Sequence, residues 1–177
     1  IKSQHTSELG WATLIAAVAI RSAVAELVSE EVLVKWPNDV LVGGKKISGI
    51  LAQIQPDNSL VLGFGINLKA QAGAPDTATA LDLLGVNQTF DEVLHAVVRN
   101  FRVRWAIFES DPQLAITKTR AELVSASATL GRNVRAELPG GGEIFGVAKD
   151  IDREGRLVIH TPEPVVVSAA DVWHLRN

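Results

Sequence analysis

The stretch Lys35-Trp36-Pro37-Asn38-Asp39, followed within one hairpin by Lys46-Ile47-Ser48-Gly49-Ile50-Leu51, constrains the fold more than any other part of this sequence. Apolar strand residues are interrupted there by charges and glycines that packing alone would not select. Val32-Leu33-Val34 leads in as a β-rich run, Pro37 removes a ladder donor, and Gly43-Gly44 supplies the positive backbone angles of a tight hairpin turn. A two-residue turn sets Leu41 opposite Lys46 and Asp39 opposite Ser48. Side chains alternate along a strand, so the Asp39 carboxylate and the Lys46 ammonium share a face, one cross-strand diagonal apart. The spacing predicts a cation and an anion converging on one sheet surface.

Leu60 to Leu68 adds a second unusual strand. Leu62, Phe64, Ile66 and Leu68 take one face, while Gly63, Gly65 and Asn67 take the other, which is nearly stripped of side chains. Glycine inside a strand weakens it and marks close approach of a ligand or another backbone, and an Asn amide matches the donor and acceptor edge of adenine. Two readings stand at this point: a planar ring lies on the strip, or a helix packs tightly against it. Gly49 invites a similar choice between close backbone approach of a ligand and a β-bulge. Taken without its surroundings, Lys46 reads as an ordinary solvated strand lysine beside Lys45.

Trp11, Leu14, Ile15, Val18 and Ala25 recur at helical spacing, predicting an amphipathic helix between Glu8 and Val28 that lies on a sheet. Strands follow at 32 to 36, 39 to 42, 45 to 54 and 59 to 68. Lys69 to Ala80, rich in Ala, Gly, Pro and Thr, reads as a flexible cover. Thr89 and Glu92 form a capping box for a helix with Leu94, Val97, Val98, Phe101, Trp105 and Phe108 inward, and Asp111-Pro112 opens another helix to about Ser125. From Arg132 onward, short strands at 132 to 138, 143 to 151, 156 to 161, 165 to 168 and 171 to 175 predict a small all-β unit. The expected organisation is a first unit over 1–127 and a second over 128–177.

Composition narrows the function classes. A chain of 177 residues with 47% hydrophobic content can bury a real core, and a net charge of −3 leaves no electrostatic footprint for nucleic acid. The absence of cysteine removes disulfides and thiolate metal sites and fits a cytoplasmic location. The longest apolar run, Ala12 to Ile20, is too short for a membrane span. His5, His95, His160 and His174 lack ligand spacing. With no methionine and Ile1 first, the chain is expected to be a fragment.

These motifs resemble the biotin protein ligase family. Lys35 to Asp39 resembles its Lys-Trp-Pro-Asn-Asp signature, Lys46 to Leu51 its Lys-hydrophobic-small-Gly-Ile-Leu segment, and Gly63-Phe64-Gly65-Ile66-Asn67 its Gly-x-Gly-x-Asn strand; the resemblance extends to Leu175-Arg176. It implies an α+β fold, a mixed β-sheet packed with helices of the class II synthetase-like, biotin–lipoate ligase type, followed by an SH3-like barrel. It further implies an ATP-dependent enzyme that activates biotin as biotinyl-5′-AMP and transfers it to a lysine of a biotin carboxyl carrier domain. In that reading Lys46 bridges the biotin carboxylate and the α-phosphate, and Gly49 contacts biotin. Asn67, Gly65, Lys35 and Arg176 serve the nucleotide. Asp39 holds Mg²⁺ or accepts a proton from the carrier lysine, its plain alternative being an Asx turn or cap.

Asn38 reads as architectural, and Trp36 as core or a wall of the site. Gln53 stands where the family often has a glutamate, so no role is carried onto it. The family's upstream Ser-Thr biotin contact and glycine–arginine loop have no counterpart in Ile1 to Val34. The alternatives are a lipoate or other acyl ligase of the same fold, or a non-catalytic ligand-binding remnant. Related enzymes sometimes dimerise through the central sheet. Nothing in Ile1 to Gly10 resembles a DNA-binding domain.

Overall fold

The computed structural model describes residues 1–175. Four antiparallel strands, β1 (Val32–Lys35), β2 (Asp39–Val42), β3 (Lys45–Ile54) and β4 (Leu60–Ile66), form a sheet in sequence order. Helix α1 (Trp11–Ala25) lies against β1 to β3, with α2 (Phe90–Ser110) and α3 (Pro112–Ser125) on its far side. The sequence predicts an amphipathic α1. Instead Ala12, Ala16, Ala17, Ala19 and Ala23 are buried along with its larger residues, because sheet and helices enclose it on opposite sides. A helix so enclosed has little polar face to show, and small residues let its neighbours approach.

Helix α2 begins at the expected capping box: the Thr89 side chain accepts from Glu92 N, and Glu92 Oε2 accepts from Thr89 N at 2.7 Å. Its buried face is Val93, Ala96, Val97 and Phe108, with Phe101 and Trp105 partly buried. Val98, expected inward, is exposed because the helix meets its neighbours one position earlier. Asp111 caps α3 by accepting from Leu114 N at 2.9 Å, and Pro112 sits in the first turn.

The second sheet contains β5 (Asn133–Glu137), β6 (Glu143–Ile151), β7 (Leu157–His160), β8 (Val165–Val167) and β9 (Asp171–His174) in the order β8-β7-β6-β5-β9, all antiparallel. It forms the SH3-like part of the α+β fold. The segment between the sheets is not a free linker. Val34 N donates to Ala126 O and Ala128 N donates to Val34 O, both at 2.8 Å, so residues 126–128 pair along the outer edge of β1.

Three further ties fix the second sheet against the first unit. Trp11 Nε1 donates to Arg153 O at 2.9 Å, Trp36 Nε1 donates to Gly155 O at 3.0 Å, and Arg120 forks onto both Asp150 oxygens at 2.7 Å. Gly155 (φ +79°) lies so close to α1 that a Cβ there would stand 2.8 Å from Leu14 Cδ1. A β6–β7 turn inserted this deeply requires glycine on both counts.

Candidate active site on the open sheet face

The Gly43-Gly44 turn has two residues at φ +55° and +79°, as the spacing predicts, and Leu41 lies opposite Lys46. Beyond that pair the register departs from expectation. Asp39 faces Gly49, not Ser48, because Ile47 is an extra residue between the Leu41–Lys46 and Val40–Ser48 pairs. Such a bulge twists a strand and re-aims its side chains. The loop supplies its tertiary support: Lys46 N donates to Thr77 O at 2.8 Å, and Asn67 N donates to Ile47 O at 2.9 Å.

The convergence survives the register shift. Lys46 Nζ lies 2.5 Å from Asp39 Oδ1, with the Asp39 side chain only 15% exposed. Gly49 lies against both partners: a Cβ there would stand 3.2 Å from Lys46 Cε and Nζ and 3.5 Å from Asp39 Oδ1. Glycine therefore accommodates the ion pair, and the bulge and the close-approach readings both apply to this one segment. Lys35 sits opposite Asp39 on β1. Burial pushes its ammonium below the usual lysine range; Asp39 opposes that shift and Lys46 adds to it.

Along the same face Gly49 pairs with Gly65, and Leu51 with Gly63. A Cβ at Gly63 or Gly65 would meet nothing within 4 Å. Among the described residues no helix packs on Gly63 or Gly65. The opposite side of β4, through Leu62 and Ile66, packs against the core. Leu51, 76% exposed, and Val61 give the strip an apolar margin.

Asn67 follows the end of β4, and its Nδ2 donates to Thr79 O at 2.9 Å. That takes one of the two amide N–H groups and leaves the other, with Oδ1, as the donor–acceptor pair expected for an adenine edge. Asn38 is architectural: Nδ2 donates to Ile50 O and its own carbonyl accepts from Ile50 N, both at 2.9 Å. Trp36 is core. The expected flexible cover, residues 69–80, is anchored at its far end, since Thr79 N donates to Lys46 O and Leu81 N to Asn67 O. Arg176 lies outside the described residues.

Sequence reasoning missed Thr79, Thr129 and the segment 77–79. Thr129, fully buried, accepts from Trp36 N through Oγ1 at 3.1 Å and meets His174 Nε2 at 3.4 Å. A threonine within a Ser-Ala-Thr-Leu run carries no local signal of such a contact. Among the described residues no three His, Cys, Asp or Glu side chains gather to hold a metal. Asp39 is already neutralised by Lys46 and faced by Lys35, so this donor set does not fit a magnesium ion held by the protein alone.

The antiparallel sheet that bears the cation–anion pair and the five-stranded sheet each fall within a segment that matches a ligase family. Residues 2–69 match the biotin/lipoate A/B protein ligase family and residues 129–175 the biotin protein ligase C-terminal domain. The chain belongs to the biotin protein ligase family.

It is 40% identical to the biotin–[acetyl-CoA-carboxylase] ligase of Mycobacterium tuberculosis, over 94% of this chain and 63% of that protein. It is 30% identical to the bifunctional ligase/repressor BirA of Bacillus subtilis, over 97% and 54%. The chain thus spans little more than half to under two thirds of these relatives. An apo biotin protein ligase from Aquifex aeolicus superposes with a TM-score of 0.83 at 23% identity, covering 95% of this chain and 76% of that one, which shows the shared fold. No helix among the described residues is long and apolar enough to cross a membrane.

Proposed function

We propose that the protein is an ATP-dependent biotin protein ligase. The observation that carries this reading is the Lys46–Asp39 pair, 2.5 Å apart and seated on Gly49, beside Gly63 and Gly65, where a Cβ would meet nothing within 4 Å among the described residues. In the first step a biotin carboxylate oxygen attacks the α-phosphorus of ATP, forming biotinyl-5′-AMP and releasing pyrophosphate. Two anions must meet, and charge grows on the phosphoryl oxygens. The Lys46 ammonium, on a flexible stem, bridges carboxylate and phosphate there. The glycine strip, with Leu51 and Val61 at its margin, accepts flat ring systems without steric obstruction. Gly49 offers its backbone to biotin, and Gly65, Asn67, Lys35 and Arg176 serve the nucleotide.

In the second step a carrier lysine attacks the mixed anhydride carbonyl and AMP leaves. An ammonium cannot attack, and in this reading Asp39 takes its proton. The acceptor we propose is a biotin carboxyl carrier domain in the cytoplasm. Aquifex aeolicus biotin protein ligase has been observed in complex with biotin and ATP, which supports the ligand pair. The match at 129–175 to the biotin ligase C-terminal domain favours biotin over lipoate. We also propose 1–127 and 128–177 as the two folding units.

The test is transfer of labelled biotin to a carrier lysine by the protein expressed from its complete reading frame, with ATP and either biotin or lipoate. ATP-dependent labelling by biotin is expected. Labelling by lipoate alone, or by neither, would overturn the assignment.

A further inference from the structure

The outer face of the second sheet carries side chains that folding does not explain. Inward positions are filled by Val134, Ala136, Ala148 and Val172, all buried. Outward, Arg135 stands directly opposite Phe145 on β6 and Trp173 on β9, so three large side chains form one cross-strand row. Phe145 is 54% and Trp173 52% exposed. The Arg135 guanidinium lies 5.7 Å from the Trp173 ring centre. The adjoining row is Glu143, Glu137 and Asp171, with Glu137 directly opposite both other carboxylates. Like charges so placed destabilise a sheet, and Arg135, bridging Glu137 at 2.7 Å and Glu143 at 3.3 Å, together with Lys35, whose charge meets Asp171, leaves two cations against three anions.

This face is continuous with the active site. Lys35 Nζ lies 5.9 Å from the Trp173 ring centre while its backbone pairs with Asp39. A protein that presents a lysine to Asp39 must lay its surrounding surface on what borders the site, and exposed aromatics beside an arginine are the side chains that anchor protein interfaces.

We propose that the row Phe145, Arg135 and Trp173 is the docking surface for the lysine-bearing acceptor protein, whose matching face is apolar at its centre and basic opposite Glu137, Glu143 and Asp171. The proposal rests on the ligase reading above and adds the partner's footprint to it. The excess of carboxylates selects the charge of the partner, and the aromatic row supplies the buried contact.

The test compares Phe145→Ser, the double variant Phe145→Ser/Trp173→Ser and Glu143→Lys with the unaltered protein, all expressed from the complete reading frame. Two readouts are taken: biotin-dependent ATP–pyrophosphate exchange, and transfer to a purified carrier domain. These side chains lie on the outer surface, so melting temperatures should stay close to that of the unaltered protein. Exchange should be unchanged in every variant, while KM for the carrier should rise by at least about tenfold in the double variant, and less in each single one, with kcat retained.

A carrier KM within twofold of the unaltered value in the double variant would overturn the docking surface alone. A raised KM for ATP would assign Trp173 to the nucleotide and overturn it too, as would a loss of self-association caused by Phe145→Ser, which would make this face an interface between copies. Failure of the unaltered protein to catalyse exchange would instead overturn the ligase reading on which the proposal rests.

Discussion

Replacing Gly49 with alanine separates the chemistry of the site from the stability of the fold. The new Cβ would stand 3.2 Å from Lys46 Cε and Nζ, tighter than ordinary contact, and 3.5 Å from Asp39 Oδ1. The atoms it meets first are the far end of a flexible side chain, so Lys46 yields by a few tenths of an ångström. Gly49 has no positive φ, and an alanine there gains about 0.4–1 kcal/mol through the unfolded chain. Net stability should therefore change by less than about 1 kcal/mol.

Catalysis is less tolerant. A misplacement of about 1 Å costs about 100-fold, so a third of that predicts roughly fivefold, and the methyl group's intrusion on the ligand face raises this to about 5- to 20-fold. The assay is biotin-dependent ATP–pyrophosphate exchange beside thermal unfolding. Exchange within twofold of the unaltered protein would refute the argument that Gly49 exists to seat the ion pair. So would a collapse in melting temperature, which would show that Lys46 cannot yield.

Trp36→Phe should cost at least about 1–3 kcal/mol in urea unfolding, because the buried bond to Gly155 O is lost and that carbonyl is orphaned; a change below about 0.5 kcal/mol would contradict it. Gly146→Ala should cost more, since its Cβ would lie 2.5 Å from the backbone carbonyl of His160, which has no flexible end to move; a melting temperature equal to the unaltered protein's would refute this. His174 carries a pKa held below 6.5 by burial, with Lys35 and Arg132 adding repulsion. Below pH 6.5 the unfolded chain therefore binds a proton that the folded protein refuses, and stability falls with pH. Melting temperatures of the unaltered protein should drop relative to His174→Gln between about pH 7 and about pH 5, and parallel curves would count against it.

Local pattern made the strands, the two-residue turn, the capping box and the shared face of Asp39 and Lys46 legible, because each depends on a few neighbouring residues. What could not be read depends on distant segments. The bulge at Ile47 coincides with residues 77–79 pairing beside Lys46, thirty positions away, so simple hairpin counting set Asp39 opposite the wrong residue. The breadth of burial on α1 follows from helices that flank it only after folding. The glycine strip was ambiguous in sequence between packing and ligand approach. Open space over Gly63 and Gly65 removes the packing explanation. Asn67 was legible as a polar group on that strand, but its bond to Thr79 O required the loop's path.

The central claim is that Lys46 acts on transition-state charge rather than in the core. Half of its side chain is exposed but its partner Asp39 is largely buried, so Lys46→Ala should cost about 1–3 kcal/mol for the carboxylate left unpaired while the protein still folds. Removing one preorganised group that meets developing charge lowers kcat by about 10²–10³. The most direct measurement is the kcat of biotin-dependent pyrophosphate exchange by folded Lys46→Ala protein. The account predicts a loss of about that size, and exchange at near-normal rates from a well-folded variant would contradict it.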